Sequence, residues 1–342
     1  MDAAIARGAG FLEEAQSADG AVRSRTYAFF KDGWSLTPLA MMGLYAHPDG
    51  APGARAKGVA YLRGLVTTDG ALHGPPDGPR YPLYALALSI LVLNTERDAE
   101  SRTARDAMVV LLRRLQRADD GGWGYEDRTG NISATLFAVG ALALSGVPVD
   151  DPALAAARGF VERCQNVGGD GGFFFSPTEQ DGNKAGAVDP AAPAGPFRSY
   201  GSATADGLRL LTRLGVAPED ARVRAAGAWL EKRFRADRNP GDFIPVNEVR
   251  RASSYFYWAW TAAHALRALG KPVLSTEAGE VRWAEALAEE LLRRQRPDGS
   301  WANPASEMRE DDPVVATSFA LASLGVTRSV LAGAYRSHAG AR

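Results

Sequence analysis

Apolar residues in this chain follow two alternating patterns. One kind of segment keeps its charges to one side: Glu285, Glu289, Glu290, Arg293 and Arg294 surround Leu287, Leu291 and Leu292. That spacing predicts an amphipathic helix with one face in water. The other kind is apolar nearly all round and rich in small residues, as in Leu36 to Tyr45, Leu83 to Leu93, Ala134 to Leu144 and Val314 to Leu324. A helix without a polar face is buried on every side. Alternation of the two predicts helical hairpins, with amphipathic helices forming an outer ring around an inner apolar one.

The punctuation between them repeats. Arg7-Gly8-Ala9-Gly10-Phe11-Leu12 leads to Gln16 and Asp19-Gly20, and Lys57-Gly58-Val59-Ala60-Tyr61-Leu62 leads to Asp69-Gly70. Residues 107–115 precede Gln116 and Asp120-Gly121-Gly122-Trp123. Arg158-Gly159-Phe160-Val161 precedes Gln165 and Asp170-Gly171-Gly172-Phe173, and residues 283–294 precede Gln295 and Asp298-Gly299-Ser300-Trp301. A degenerate copy at Ala226 to Leu230 has Phe234 where the glutamine belongs, and Val66 replaces it in the second copy. A period of about fifty residues is that of stacked supersecondary units. Glycine supplies the positive φ that leaves the outer helix, the aromatic packs back between hairpins, and the glutamine bonds loop backbone. Roughly six pairs close a ring with no exposed end. The predicted fold is therefore all-α, a single (α/α)6 toroid over residues 1–342, with a rim loop at about 176–197 and a tail from about 328.

Such a run (Gly, aromatic-Leu, Gln, Asp-Gly-x-Trp) resembles the repeat of squalene-hopene cyclases, oxidosqualene cyclases and the β subunits of protein prenyltransferases. It covers nearly the whole chain. Residues 200–208 and 310–317 are most similar to bacterial prenyltransferase or squalene-oxidase repeat proteins. The resemblance implies the scaffold; function resides in whatever site is grafted on it.

All inner-helix starts should gather at one mouth, where their partial positive ends favour anions. The resemblance implies an acid there, because cyclases of this kind protonate an alkene with the central aspartate of an Asp-x-Asp-Asp motif. Here Glu310-Asp311-Asp312 precedes Pro313, with Arg309 in the first aspartate's place. Asp311 and Asp312 are candidate acids; the alternative is a plain helix start with Asp312 as N-cap. Asp206 lies in an apolar helix, four residues after Ser202, so it is buried and needs a partner; it is a third candidate acid or part of a structural polar network. Arg198 is a candidate fork for phosphate or carboxylate, with Tyr200 and Ser202 beside it. Residues 253–264 are the densest aromatic stretch: Tyr255, Tyr257, Trp258, Trp260 and His264 are candidate cavity lining, able to hold a cation by its attraction to ring faces, or simply core. Glu126-Asp127-Arg128 and Asn131 precede another inner helix, with Asn131 its N-cap.

Composition narrows the partners. Net charge is -1, which gives no basic footprint for nucleic acid. The single cysteine, Cys164, falls in an outer helix, and His47, His73 and His338 fall in loops or the tail. Hence neither a disulfide framework nor the Asp-Cys-His zinc site of the prenyltransferases is expected, and no cofactor is called for. No apolar run is read as reaching the roughly 20 residues that cross a bilayer, and the first residues show no leader pattern. The expectation is a cytoplasmic protein, with peripheral membrane contact left open. Two functions remain: a cyclase-like enzyme or binder taking an isoprenoid or other apolar ligand into the barrel, or a non-catalytic toroid holding a lipid, peptide or protein partner at its rim.

Overall fold

The structure, a computed structural model, describes residues 1–47, 50–74, 81–125, 129–189, 191 and 195–339, with residues 334–339 as backbone alone. The helices come in pairs, outer then inner. They are α1 (Asp2–Ala15) with α2 (Leu36–Leu44), α3 (Pro52–Leu65) with α4 (Pro82–Leu93), α5 (Ala99–Arg114) with α6 (Ile132–Leu144), and α7 (Pro152–Arg163) with α8 (Gly201–Arg213). After α9 (Ala221–Arg233) comes a one-and-a-half-turn α10 (Glu248–Ser253) before its inner partner α11 (Tyr255–Leu269). The last pair is α12 (Trp283–Arg294) and α13 (Pro313–Ala339). A short antiparallel hairpin, β1 (Val273–Thr276) and β2 (Gly279–Arg282), joins α11 to α12.

Each inner helix packs on the next, α2 on α4, α4 on α6, α6 on α8, α8 on α11 and α11 on α13, and α13 returns to α2. The predicted (α/α)6 toroid is thus present as a closed ring. The patterns explain which helix goes where. In α6 every residue from Ile132 to Leu142 is buried, whereas α5 buries only Ser101, Met108 and Leu112. Outer helices begin on carboxylate caps at Asp98, Asp151 and Asp220, which satisfy first-turn N–H groups and oppose the positive helix end.

The repeated residues form a clasp between neighbouring pairs. The Gln116 amide donates to the carbonyl of its own loop Gly121 and to that of Ala153 in the next outer helix, both at 2.7 Å. Gln16 does the same to Gly20 and Ala54, and Gln165 to Gly171 and Arg222. Gln295 reaches Gly299 at 2.9 Å and Ala4 at 2.8 Å, so the last clasp grips the first helix and closes the ring. Gly299 has φ +85°, and a Cβ there would lie 2.6 Å from the Arg7 carbonyl oxygen; only glycine allows both that turn and that approach. The aromatic residue two positions after the glycine, Trp123 or Trp301, donates its backbone N–H to a threonine in the inner helix, Thr135 or Thr317. Its indole N–H goes to the outer helix at Leu112 or Leu291.

Two expectations change. Residues from 328 are no loose tail: α13 continues to Ala339, since no proline intervenes. In addition, Pro313–Gly333, 21 residues, is long and apolar enough to cross a membrane, contrary to the sequence reading. Its polar residues hide themselves, with Ser318, Ser323 and Thr327 turning their hydroxyls onto the carbonyls of Val314, Phe319 and Leu324. In the toroid this span is an inner-ring helix, 67% buried.

Candidate active site

The ring surrounds a cavity of about 470 Å³ that is partly open to solvent, within the roughly 300–1,000 Å³ common for small-molecule sites. Leu36 and Leu39 of α2, Tyr84 and Leu88 of α4, Ser133 and Phe137 of α6, Tyr257 of α11, and Val315 and Phe319 of α13 wall it. Beneath, Trp260 stacks on Phe137 at 5.2 Å and lies 5.5 Å from Phe319. Over the inner-helix starts the chain adds Phe30, Tyr81 and Tyr125. The rim loop adds Glu179, Asp181, Gly182 and Lys184 behind Phe175, and residues 307–310 complete the roof. The rim loop is therefore cavity wall. It is pinned by buried Asn183, which accepts from the Phe175 N–H and donates to the Ser176 and Glu179 carbonyls.

Two of the three non-glycine residues with left-handed backbone among those described, Tyr81 (φ +53°) and Arg309 (φ +61°), line this cavity. Such conformations persist where the surroundings over-determine them, commonly at sites. At Arg309 the turn delivers the next residue, Glu310, into the barrel.

Glu310 is buried at the start of α11, whose own N-cap Ser254 offers no side-chain bond. Its carboxyl oxygens accept from the backbone N–H groups of Phe256 at 2.9 Å and Tyr257 at 2.7 Å, and from the Asn303 amide at 3.2 Å. Burial raises it from 4.5 to about 7, against the pull of those donors. The net result is a carboxyl that carries its proton part of the time at neutral pH yet has donors waiting for the anion.

One turn deeper, behind Tyr257, Asp206 is also buried. It accepts from the hydroxyls of Tyr257 at 2.8 Å and Thr261. Burial raises it from 3.8 to about 6, opposed first by the Arg209 charge. Arg209 donates to Thr261 at 2.9 Å and lies 4.3 Å from the Trp260 ring centre.

Lys184, at the roof, sits over the Phe175 ring at 4.7 Å, and burial draws it down to about 8. No three His, Cys, Asp or Glu converge to hold a metal ion among the described residues.

Of the residues singled out from sequence, Tyr257 lines the cavity and Trp260 packs behind that lining, against Phe137 and Phe319. Tyr255 and Trp258 turn away, donating to the carbonyls of Ala236 and Arg235 at 3.0 Å each. His264 packs edge-on to Trp260 and is held well below its ordinary value by burial and by Arg209, Arg267 and Arg213. Asp311 accepts the Tyr27 hydroxyl at 2.7 Å off the lining. Asp312 is the N-cap of α13, taking the Val314 N–H at 2.8 Å and the Ser24 hydroxyl. Arg198 bonds the rim-loop carbonyl of Ala187. Tyr200 is buried against Phe243. Ser202 belongs to a structural knot in which Asn239 joins it to Ser254. Asn131 caps α6 through the Ala134 N–H; Glu126, Asp127 and Arg128 lie outside the described residues. Sequence reasoning passed over Glu310 itself, Tyr84, Tyr125, Ser133 and Lys184. A signal was present for Ser133 and Tyr84, each a polar group interrupting an otherwise apolar inner helix.

Fold and site together define an (α/α)6 toroid with an aromatic axial cavity and buried carboxyls. The family model for the squalene-hopene cyclase N-terminal domain matches residues 85–169. Cycloartenol synthase of Dictyostelium discoideum is 33% identical over 116 residues, which is 34% of this chain and 16% of that protein. Among solved structures, a protein from Actinoplanes covers 96% of this chain and 99% of its own at 17% identity and TM-score 0.55. A wild-type glycosidase covers 95% of this chain and 96% of its own at 12% identity and TM-score 0.57. At those identities the structural likeness is one of fold. The chain's fold is that of the terpenoid cyclase α/α toroid superfamily.

Proposed function

We propose that the chain takes an isoprenoid or similar unsaturated chain into its axial cavity and starts its cyclisation by proton transfer from Glu310. The observation that carries this reading is the pairing of an eight-ring aromatic lining with one buried carboxyl, raised to about 7, facing it. Burial keeps the proton in place at rest. As it leaves for an alkene carbon, the carboxylate is met by two backbone N–H groups and an amide already aimed at it, stabilisation that needs no reorganisation. The carbocation left on the substrate is then held by ring faces, each worth about 0.5–2 kcal/mol. Asp206 is the second carboxyl available to this chemistry, out of direct reach behind Tyr257. Asp311 and Asp312 keep capping and loop-tying roles.

The test is incubation of the protein with squalene and with prenyl diphosphates of several lengths, followed by mass spectrometry. Expected are cyclic products, lost by about 10²–10⁴-fold in Glu310→Gln, the range for removal of a general acid. Absence of product from every isoprenoid sinks the proposal; a ligand bound and recovered unchanged leaves a binding toroid.

A further inference from the structure

Asp206 is the end of a hydroxyl chain that runs along the cavity wall. Tyr257 donates to Asp206 at 2.8 Å. The Tyr257 oxygen lies 2.7 Å from Ser133 Oγ, Ser133 Oγ lies 2.9 Å from the Tyr84 oxygen, and that lies 2.8 Å from the Tyr125 oxygen. Each hydroxyl has one proton to give. Since the Tyr257 proton goes to Asp206, Ser133 must donate to Tyr257, Tyr84 to Ser133 and Tyr125 to Tyr84. Four helices and loops thus set five groups in one line, every proton pointing toward the carboxylate. Tyr257, Ser133, Tyr84 and Tyr125 all line the cavity, while Asp206 is sealed behind them.

We infer that this line is a proton relay making Asp206 the terminal base of the site. The inference rests on the reading that a carbocation forms in the cavity, and it names where that cation's proton goes. A C–H bond next to the cationic carbon breaks and its electron pair becomes the product's double bond. The proton passes to a wall hydroxyl, for the longest path Tyr125. Each hydroxyl in turn hands its own proton inward, Tyr125 to Tyr84, Tyr84 to Ser133, Ser133 to Tyr257, and Tyr257 to Asp206. Asp206 ends as the neutral acid and every hydroxyl keeps one proton, with the direction of the line reversed. No oxidant or further reactant is needed, and return of the proton to water in the emptied cavity resets the line.

The phenols alone would be poor resting bases, since burial first of all raises Tyr84, Tyr125 and Tyr257 above the ordinary phenol value. A relay lets them act without becoming phenolates. The charged and titratable groups facing Asp206 are Arg209 and Arg213 of its own helix, Tyr200 just before that helix, Tyr257 of α11, Tyr84 of α4 and Lys184 of the rim loop. Arg209 and Lys184 favour its ionised, proton-accepting form.

The direct test is nuclear magnetic resonance of the intact protein with ring-labelled tyrosine, followed through acid to neutral pH. Tyr257, Tyr84 and Tyr125 should change from acceptor-side to donor-side character together, with one midpoint shared with the Asp206 carboxyl. In Ser133→Ala, which leaves both bonds to Asp206 in place, only Tyr257 should follow; in Asp206→Asn none should. Tyr84 and Tyr125 silent in the wild type, or still following in Ser133→Ala, would overturn the relay. Where cyclisation is observed, Asp206→Asn should shift the ratio of alkene product to water-captured alcohol at least tenfold toward alcohol; an unchanged ratio overturns the base role. Should no isoprenoid react, the proposed function falls and the tyrosine titration still decides the relay.

Discussion

Tyr257 touches both carboxyls of the site, Glu310 and Asp206, and its two ends meet different chemistry. Its backbone N–H donates to Glu310 at the roof of the cavity; its hydroxyl donates to Asp206 in the wall. Both carboxyls are lifted above their ordinary values by burial. What separates them is the kind of donor. Glu310 is held by two main-chain N–H groups and the Asn303 amide, none of which can release a proton, so its own proton has only the cavity to go to. Asp206 is held by hydroxyls that can pass protons on, so it communicates with the cavity without facing it. Equal burial therefore produces an acid in one place and a base at a distance in the other, and donor type decides which.

The largest expected effect tests whether both groups are lifted. The folded values of these two carboxyls lie above the unfolded ones, so between about pH 4 and 7 each holds its proton more tightly in the folded chain, while His264, held neutral by burial, works in the opposite direction. The share of stability these two carboxyls contribute is then highest at the acid end of that window and falls as pH rises. Glu310 moves from 4.5 to about 7 and Asp206 from 3.8 to about 6, each worth roughly 3 kcal/mol across the window. Urea denaturation of wild type and variants at a series of pH values isolates that share. Glu310→Gln should remove the part that persists to pH 7, and Asp206→Asn the part that ends near 6. A pH slope untouched by either substitution would contradict the lifted values.

A smaller effect separates the two ends of Tyr257. Tyr257→Phe keeps the N–H to Glu310 and removes the hydroxyl from Asp206. It should cost about 1–3 kcal/mol, since Ser133 and the carboxyl both lose a buried partner. The Asp206 midpoint should rise further, because one bond favouring its charged form is gone, while the Glu310 midpoint stays where it was. Infrared titration of the two carboxyls reads both at once; movement of Glu310 by as much as Asp206 would mean that the two sites are not independent.

The sequence carried the ring far better than it carried the site, and the reason is physical. Glutamine, glycine and tryptophan act on neighbours one repeat away, so the same spacing recurs at Gln16, Gln116, Gln165 and Gln295 and can be read by comparing the chain with itself. Cavity residues meet across the barrel: Ser133 and Tyr257 are 124 positions apart, and nothing local announces the pairing. Asp206 was legible because a charge inside an apolar helix demands a partner. Glu310 was passed over for Asp311 because choosing between adjacent acids requires the turn at Arg309, whose positive φ no residue type there signals. Trp258 and Tyr255 belong to the same aromatic run as Tyr257, but helical rotation points them at the outer ring.

The smallest effects belong to the clasps, and they provide the contrast that keeps the site's signals specific. Gln295→Ala removes two bonds to main-chain carbonyls and the bond its amide oxygen accepts from the Arg7 guanidinium, and should lower stability by about 1–2 kcal/mol, equally from acid to neutral pH, because no carboxyl or histidine is touched. The second junction lets the reverse be tried. Val66 ends α3 with φ -77° and ψ 122°, nearly the geometry of Gln16 at -76° and 128°, and Gly70 holds the same positive φ as the other clasp glycines. Val66→Gln thus puts the missing amide on a backbone already shaped for it, within reach of the Gly70 carbonyl and the first turn of α5. The gain should be at most about 1 kcal/mol, read as a raised urea midpoint with an unchanged pH slope. A loss instead would mean that the partly buried valine contributes more by packing than the amide returns by hydrogen bonding, and that this junction departed from the repeat because its neighbours prefer an apolar residue there.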